Sequence, residues 1–238
     1  MPDALPAPAP VVEAVDLSRR FGGRWAYARV DLRVEPGERV LVFGANGSGK
    51  TTLLRTLSTL LRPSHGTLRL FGQDPSRPGG EALRRRIGFL SHQPGLYEDL
   101  SGADNLRVFA RLAGRPVDAA ALLARVGLDA RPEPIRAWSA GMRKRLQIAA
   151  LLGQSPDLIL ADEPFTALDP EGVHQVVALL AALPGTLILS THNLARAASL
   201  CGRALLLDAG VPRWSGPAAQ VTAAWAALFP QGDAEAAE

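Results

Sequence analysis

Apolar positions fall into short runs broken by turn residues, with one long interval at helical spacing. Residues 11–17 and 30–34 read as strands, the second alternating apolar and polar positions, and Phe21-Gly22-Gly23 and Pro36-Gly37-Glu38 read as turns. They predict an antiparallel opening. Arg39-Val40-Leu41-Val42-Phe43 is a continuous run of β-branched and aromatic residues, the pattern of a buried strand. A helix follows to about Leu61 and stops at Arg62-Pro63. Strands are expected over 67–71 and 87–91, with a Pro/Gly-rich loop over 74–80. From Ser101 to about Gly153 the period becomes helical. Ser101 and Asp104 form a capping pair, and Leu106, Phe109, Ala110 and Ala113 share a face. A second helix over 119–126 ends at Gly127, and a third begins after Ser139. Leu158-Ile159-Leu160-Ala161 is the next buried strand. Beyond it come a helix over 170–183 started by Pro170, a strand over 186–190, a helix to Cys201, a strand over 203–207 and a helix over 218–229.

Strands alternating with helices give an α/β fold with a mostly parallel sheet. The antiparallel opening forms an N-terminal β subdomain, and the interval 101–153 is a helical subdomain inserted into the core. One domain is expected over 11–230. The Pro/Ala-rich residues 1–10 read as a disordered lead-in, and the polar residues 231–238 as a frayed tail. With 238 residues, 47% of them hydrophobic, the chain can bury a sizeable core. A net charge of +3 gives only weak support to nucleic-acid binding. The single cysteine, Cys201, allows no internal disulfide and suits a reducing compartment. The start of the chain lacks the pattern of a signal peptide, and no apolar run is long enough to span a bilayer.

Between the strand ending at Phe43 and the helix after it stands Gly44-Ala45-Asn46-Gly47-Ser48-Gly49-Lys50-Thr51-Thr52, a match to G-x-x-x-x-G-K-[ST] in the strand–loop–helix context that motif needs. It marks a P-loop NTPase core. Glycines let the backbone turn tightly and aim successive N–H groups at phosphate oxygens, and the helix start adds its positive dipole end. Lys50 reaches the β- and γ-phosphates of ATP, and the Thr51 hydroxyl is placed to ligand Mg²⁺. The chain has only two lysines, Lys50 and Lys144, among 26 basic residues. A compact ammonium fits a crowded cradle where a planar guanidinium does not. Phe21 either stacks on the nucleotide base or packs in the core.

Asp162-Glu163 closes the apolar run 158–161, so both carboxylates sit at the ligand edge of the sheet. Asp162 is expected to orient Mg²⁺ and Glu163 to polarise the attacking water as general base. Trp138-Ser139-Ala140-Gly141-Met142 precedes a basic stretch. Ser139 can cap a helix there, and Gly141 lets a backbone approach an anion. This is a second anion-binding helix start.

This ordered set resembles the ATP-binding subunit of ABC transporters. It comprises the P-loop at 44–52, the signature at Ser139 to Met142, Asp162 and Glu163, Ala167-Leu168-Asp169, and His192 last. Two departures stand out: Ala140 replaces a signature glycine and Met142 the signature glutamine. The resemblance implies a head-to-tail pairing, as a homodimer or with a second ABC ATPase subunit. ATP would lie between Lys50 of one subunit and Ser139 and Gly141 of the other. It implies that His192 touches the γ-phosphate and that Asp169 links the two sites. The family's loop glutamine, an Mg²⁺ ligand, falls to Gln93, with His92 as the alternative.

The expected function is an ATPase motor driving a transmembrane permease from the cytoplasmic face of the membrane. The groove over 93–105 is the expected contact, with Leu96, Tyr97 and Leu100 either anchoring the permease or packing inside the helical block. A finer resemblance, carried by 91–95, 139–141 and 162–169, is to the haem exporters of cytochrome c maturation. A drug, lipid or polysaccharide exporter is the alternative. A soluble ABC-type protein acting on nucleic acid or the ribosome is a reading of another class. One P-loop and no long heptads argue against it.

Overall fold

A computed structural model describes residues 9–92, 95–192, 194–197 and 199–229. The antiparallel opening is longer than the alternation suggested. β1 spans Val12–Phe21 and β2 spans Arg24–Val34, and β4, His65–Leu70, joins them in a three-stranded antiparallel sheet of order β2-β1-β4. The second sheet has the order β5-β6-β7-β3-β8-β9. It comprises β3 (Arg39–Phe43), β5 (Ile87–Leu90), β6 (Leu158–Asp162), β7 (Thr186–Thr191), β8 (Arg203–Asp208) and β9 (Val211–Pro217). All pairings are parallel except β8 with β9.

β9 was not expected. Its sequence carries Pro212 and Pro217, and a strand with prolines is tolerated only at an edge, which is where β9 lies. The first helix, α1, spans Lys50–Leu57 and ends short of Leu61, because Thr59 turns the chain with φ 66°. A short helix α2, Gly80–Arg84, begins at the last residue of the expected loop and fills the interval before the next strand. The inserted block holds α3 (Gly102–Ala113), α4 (Ala119–Arg125) and α5 (Ala140–Gln154). Next come α6 (Pro170–Ala182), a single-turn α7 (Leu194–Ala197) in place of the helix expected to reach Cys201, and α8 (Val221–Leu228).

Period-two alternation builds the layers. Along β3, Val40 and Val42 face one side and Leu41 and Phe43 the other. The first pair joins Leu53, Leu54 and Leu57 of α1 in a core that includes the antiparallel sheet. The second pair joins the core formed with the inserted helices and α6. Helix α1 is therefore packed between the two sheets, and its N-terminus emerges at the end of β3. Arg39, at the opposite end of that strand, donates to the carbonyls of Leu180, Ala181 and Leu183 and so caps the C-terminus of α6.

Inside the helical block, Asn105 is fully buried and does the work of a local scaffold. Its side chain accepts from Tyr97 N–H at 2.8 Å and donates to the carbonyls of Tyr97 and Ser101, each at 3.0 Å. The expected capping by Ser101 is present, its hydroxyl accepting from Asp104 N–H. The three apolar residues read as either anchors or packed residues divide: Leu96 packs against the helical core, Leu100 is half-buried, and Tyr97 is 49% exposed beside Phe109.

Candidate functional site

In the sheet, β7 lies between β6 and β3, so three neighbouring parallel strands end side by side. β3 leads into the P-loop, β6 ends at Asp162 and β7 at Thr191. The register pairs Asp162 with Ser190 and Phe43 with Thr191. The carboxyl edge of a parallel sheet is where ligands bind in such folds. Residues far apart in sequence are thereby brought within bonding distance.

The loop itself is held by glycines at two points that admit nothing else. Gly44 has φ 155°, and a Cβ there would collide with the Leu207 carbonyl oxygen. Gly49 has φ 98°, and a Cβ there would collide with the Ala26 carbonyl oxygen. Lys50 is 5% exposed and its ammonium donates to the carbonyls of Gly44 at 2.7 Å and Ala45 at 3.0 Å. Burial lowers its pKa from the ordinary lysine value, and the charges of Glu163 and Asp162 oppose that shift. The ammonium is thus folded back on its own loop, aimed at the cradle floor.

Asp162 is 1% exposed, and its Oδ1 accepts from the Thr51 hydroxyl at 3.0 Å and the Ser190 hydroxyl at 2.6 Å. Hydroxyl and carboxylate oxygens are the donors a hard cation takes, so Thr51 and Asp162 fit Mg²⁺. The next residue, Glu163, has φ 47°, the left-handed region that a non-glycine residue rarely occupies. Its N–H donates to the Ser190 carbonyl at 2.9 Å. That turn throws its carboxylate back toward the loop, where Oε1 lies 3.8 Å from Lys50 Nζ and 3.0 Å from His192 Nδ1. Strained backbone held by its surroundings is common where chemistry is done.

A cleft of about 220 Å³ opens here, lined by Ala26, Asn46, Gly47, Ser48, Gly49, Lys50, Thr51, Thr52 and Glu163. A larger cleft of about 940 Å³ lies beyond the far end of α1, between Thr56 and Arg84, away from these groups. The smaller one is the candidate site, because it joins the phosphate cradle to the Glu163 carboxylate and to Thr51, whose hydroxyl bonds Asp162.

Ser139 caps α5 as expected, its hydroxyl accepting from Met142 N–H at 3.2 Å. Yet Ser139, Ala140, Gly141 and Met142 do not line the cleft. A Cβ on Gly141 would meet only ordinary contacts, the nearest being Leu168 Cδ2 at 3.8 Å. Nothing among the described residues of this chain requires glycine there. Asp169 caps α6, accepting from Gly172 N–H at 2.8 Å. Phe21 is 49% exposed, with the Arg19 guanidinium over its ring at 4.6 Å, so it is not core. It does not line the cleft, whereas Ala26 of the next strand does. Gln93 lies outside the described residues; His92 is described and exposed. Sequence reasoning missed Ser190, which has no motif of its own: only the register beside Asp162 reveals it.

A protein-family model described as ABC transporter matches residues 27–166. The daunorubicin resistance ATP-binding protein DrrA3 of Streptomyces coeruleorubidus is 42% identical over 201 residues, covering 81% of this chain and 63% of that protein. The chain therefore spans less than two thirds of that relative's length. The cytochrome c biogenesis ATP-binding export protein CcmA of Cupriavidus necator is 38% identical over 210 residues, covering 85% of this chain and 90% of that protein. Among solved structures, an ATP-binding cassette described as a dimer in a post-hydrolysis state bound to ADP and Pi superposes with a TM-score of 0.78. It is 25% identical and covers 87% of this chain and 98% of that one.

Proposed function

This chain belongs to the ABC transporter family, and from that premise we propose that it is the ATP-hydrolysing motor subunit of a membrane transporter. The observation that carries the reading is the meeting of Lys50, Asp162, Glu163 and His192 around the P-loop cleft. Backbone N–H groups of the loop and the Lys50 ammonium bind the ATP phosphates. Thr51 and Asp162 hold Mg²⁺, with Gln93 as a further ligand, and the ion when bound neutralises phosphate charge. Glu163 takes a proton from the attacking water, and His192 orients that water and the γ-phosphate.

The signature supports a paired assembly. Ser139 and Gly141 present a capped helix start outside the cleft of their own chain, with a glycine that no neighbour among the described residues requires. In the pair, as a homodimer or with a second ABC ATPase subunit, they close over ATP bound at the other subunit's P-loop, Asp169 links the two sites and Phe21 meets the base. No helix among the described residues is long and apolar enough to cross a membrane. In this reading the transmembrane permease is a separate chain or segment, and this domain docks on its cytoplasmic face. The cargo we favour is haem for cytochrome c maturation, supported by the match that spans 90% of the CcmA protein. A second reading, drug export, is favoured by the higher identity to the daunorubicin resistance protein.

The test is Mg-ATP hydrolysis by purified protein. Wild type is expected to turn over and Lys50→Ala to be inactive; equal rates would defeat the assignment. Co-purification from membranes with an apolar partner tests the transporter role, and the partner's identity decides the cargo.

A further inference from the structure

The chain's other lysine, Lys144, is also buried, 6% exposed, in the third helical position after Gly141. Elsewhere the chain uses arginine for positive charge, almost always in reach of water. Helix α5 lies along β5 in a definite register. A Cβ on Gly88 of that strand would press on Leu151, and Lys144, two helical turns earlier, reaches the Ser91 carbonyl at 3.4 Å just past the strand's end. Seven residues of helix rise about 10 Å, and three residues of strand span the same distance. The face carrying Lys144 and Leu151 therefore runs the length of β5. Gln147 lies on that face too, buried, its Oε1 without a hydrogen-bond partner among the described residues. Among the described residues, the Ser91 carbonyl is the one hydrogen-bond acceptor of Lys144, and the bond is long. Burial pushes the ammonium down to about 8, and the charge of Asp162 opposes that. A buried charge so thinly bonded stabilises little.

We propose that Lys144 is a positioning residue for ATP hydrolysis, tying the helix that begins at Ser139 to the Ser91 carbonyl just past the end of β5. The tie joins the signature end of α5 to the last residue but one before Gln93. It fixes the helix against the sheet edge, so that displacement of one is felt at the other. This rests on the ATPase reading above. An ammonium suits the place because it is compact and bonds in any direction, where a guanidinium needs a planar fork.

The experiment compares wild type with Lys144→Met, which keeps length and volume and drops the charge. Melting temperature, affinity for a fluorescent ATP analogue, and steady-state hydrolysis are measured on each. The Met variant is expected to melt at or above wild type and to bind nucleotide within about two-fold, with KM little changed. Its kcat is expected to fall about ten- to hundred-fold, the size of a misplaced catalytic group. A folded Met variant with wild-type kcat overturns the proposal, as does a loss of nucleotide affinity that accounts for the whole defect. If the Met variant does not fold, Lys144→Gln decides. A folded Gln variant with the same kcat loss supports the proposal, and one that is unfolded or fully active overturns it. Wild-type protein that hydrolyses no ATP defeats the ATPase reading itself, and this proposal with it; activity kept by the Met variant defeats only the proposal.

Discussion

His192 Nδ1 and Glu163 Oε1 stand 3.0 Å apart, and Lys50 Nζ approaches the same oxygen at 3.8 Å. One carboxylate oxygen is therefore held between the cation of the phosphate cradle and an imidazole 46% exposed at its side chain. Glutamine at this position keeps shape and hydrogen bonding and loses basicity. We expect Glu163→Gln to bind ATP and to slow hydrolysis by about 10²–10⁴-fold, the usual worth of a general base. With Lys50, Ser139 and Gly141 intact, the ATP-bound pair should persist. Light scattering on the eluting protein, with and without Mg-ATP, reads this directly. A variant that binds ATP tightly and stays monomeric at every concentration contradicts the shared site.

Lys50→Arg is expected to fail as well. The Lys50 ammonium sits 5% exposed between two carbonyls of its own loop at 2.7 and 3.0 Å. A guanidinium is broader, planar and cannot turn its donors to both carbonyls and a phosphate. The expected loss in kcat/KM is at least about 10²-fold, comparable to deleting one preorganised donor. Hydrolysis at half the wild-type rate would show that charge alone suffices.

Much of this site was legible because its chemistry is tied to local backbone form. A P-loop needs a strand, glycines and a helix start in one short stretch, and Gly44 and Gly49 are fixed there by collisions that any side chain would cause. Asp162 and Glu163 were readable from the apolar strand that precedes them. What sequence could not show was pairing across the sheet. Ser190 reaches Asp162 only because β6 and β7 run in register, and Ala26 lines the cleft because β2 folds over the loop. The edge strand β9 was hidden by its prolines, and the early end of α1 by a threonine at the position where glycine usually announces a stop.

Ser190 supplies a third prediction. Its hydroxyl donates at 2.6 Å to Asp162 Oδ1, and both residues are buried. Ser190→Ala leaves a buried carboxylate oxygen with Thr51 as its remaining hydroxyl donor among the described residues. Hydrogen bonds to charged groups contribute about 1.5–3 kcal/mol, so a destabilisation of that order is expected. A lower urea midpoint at unchanged slope would show it. In the proposed site Asp162 is a ligand of Mg²⁺, so on that reading the same variant should require more Mg²⁺ for half-maximal hydrolysis. An unchanged midpoint would mean that the serine hydroxyl has no hold on the carboxylate.

Thr59 offers a change in the opposite direction. It follows the C-cap Ser58 of α1 and turns the chain with φ 66°, its N–H donating to the Thr56 carbonyl at 3.0 Å. That is the helix-ending position at which glycine is favoured, because Cβ crowds the backbone in the left-handed region. Threonine is a poor occupant, being β-branched, and here its Oγ1 is buried without a hydrogen-bond partner among the described residues. Glycine removes both penalties. The left-handed conformation costs a side-chain-bearing residue roughly 1–2 kcal/mol. Against that stands the greater freedom glycine gives the unfolded chain, about 0.4–1 kcal/mol. The balance predicts that Thr59→Gly stabilises the protein by about 1 kcal/mol, more if the orphaned hydroxyl counts fully. The site lies a helix length from Lys50, so nucleotide affinity and turnover should be unchanged. The check is a rise in the urea midpoint at constant slope, paired with wild-type ATPase kinetics. A fall in the midpoint would show that the threonine methyl contributes more in packing than its backbone strain costs.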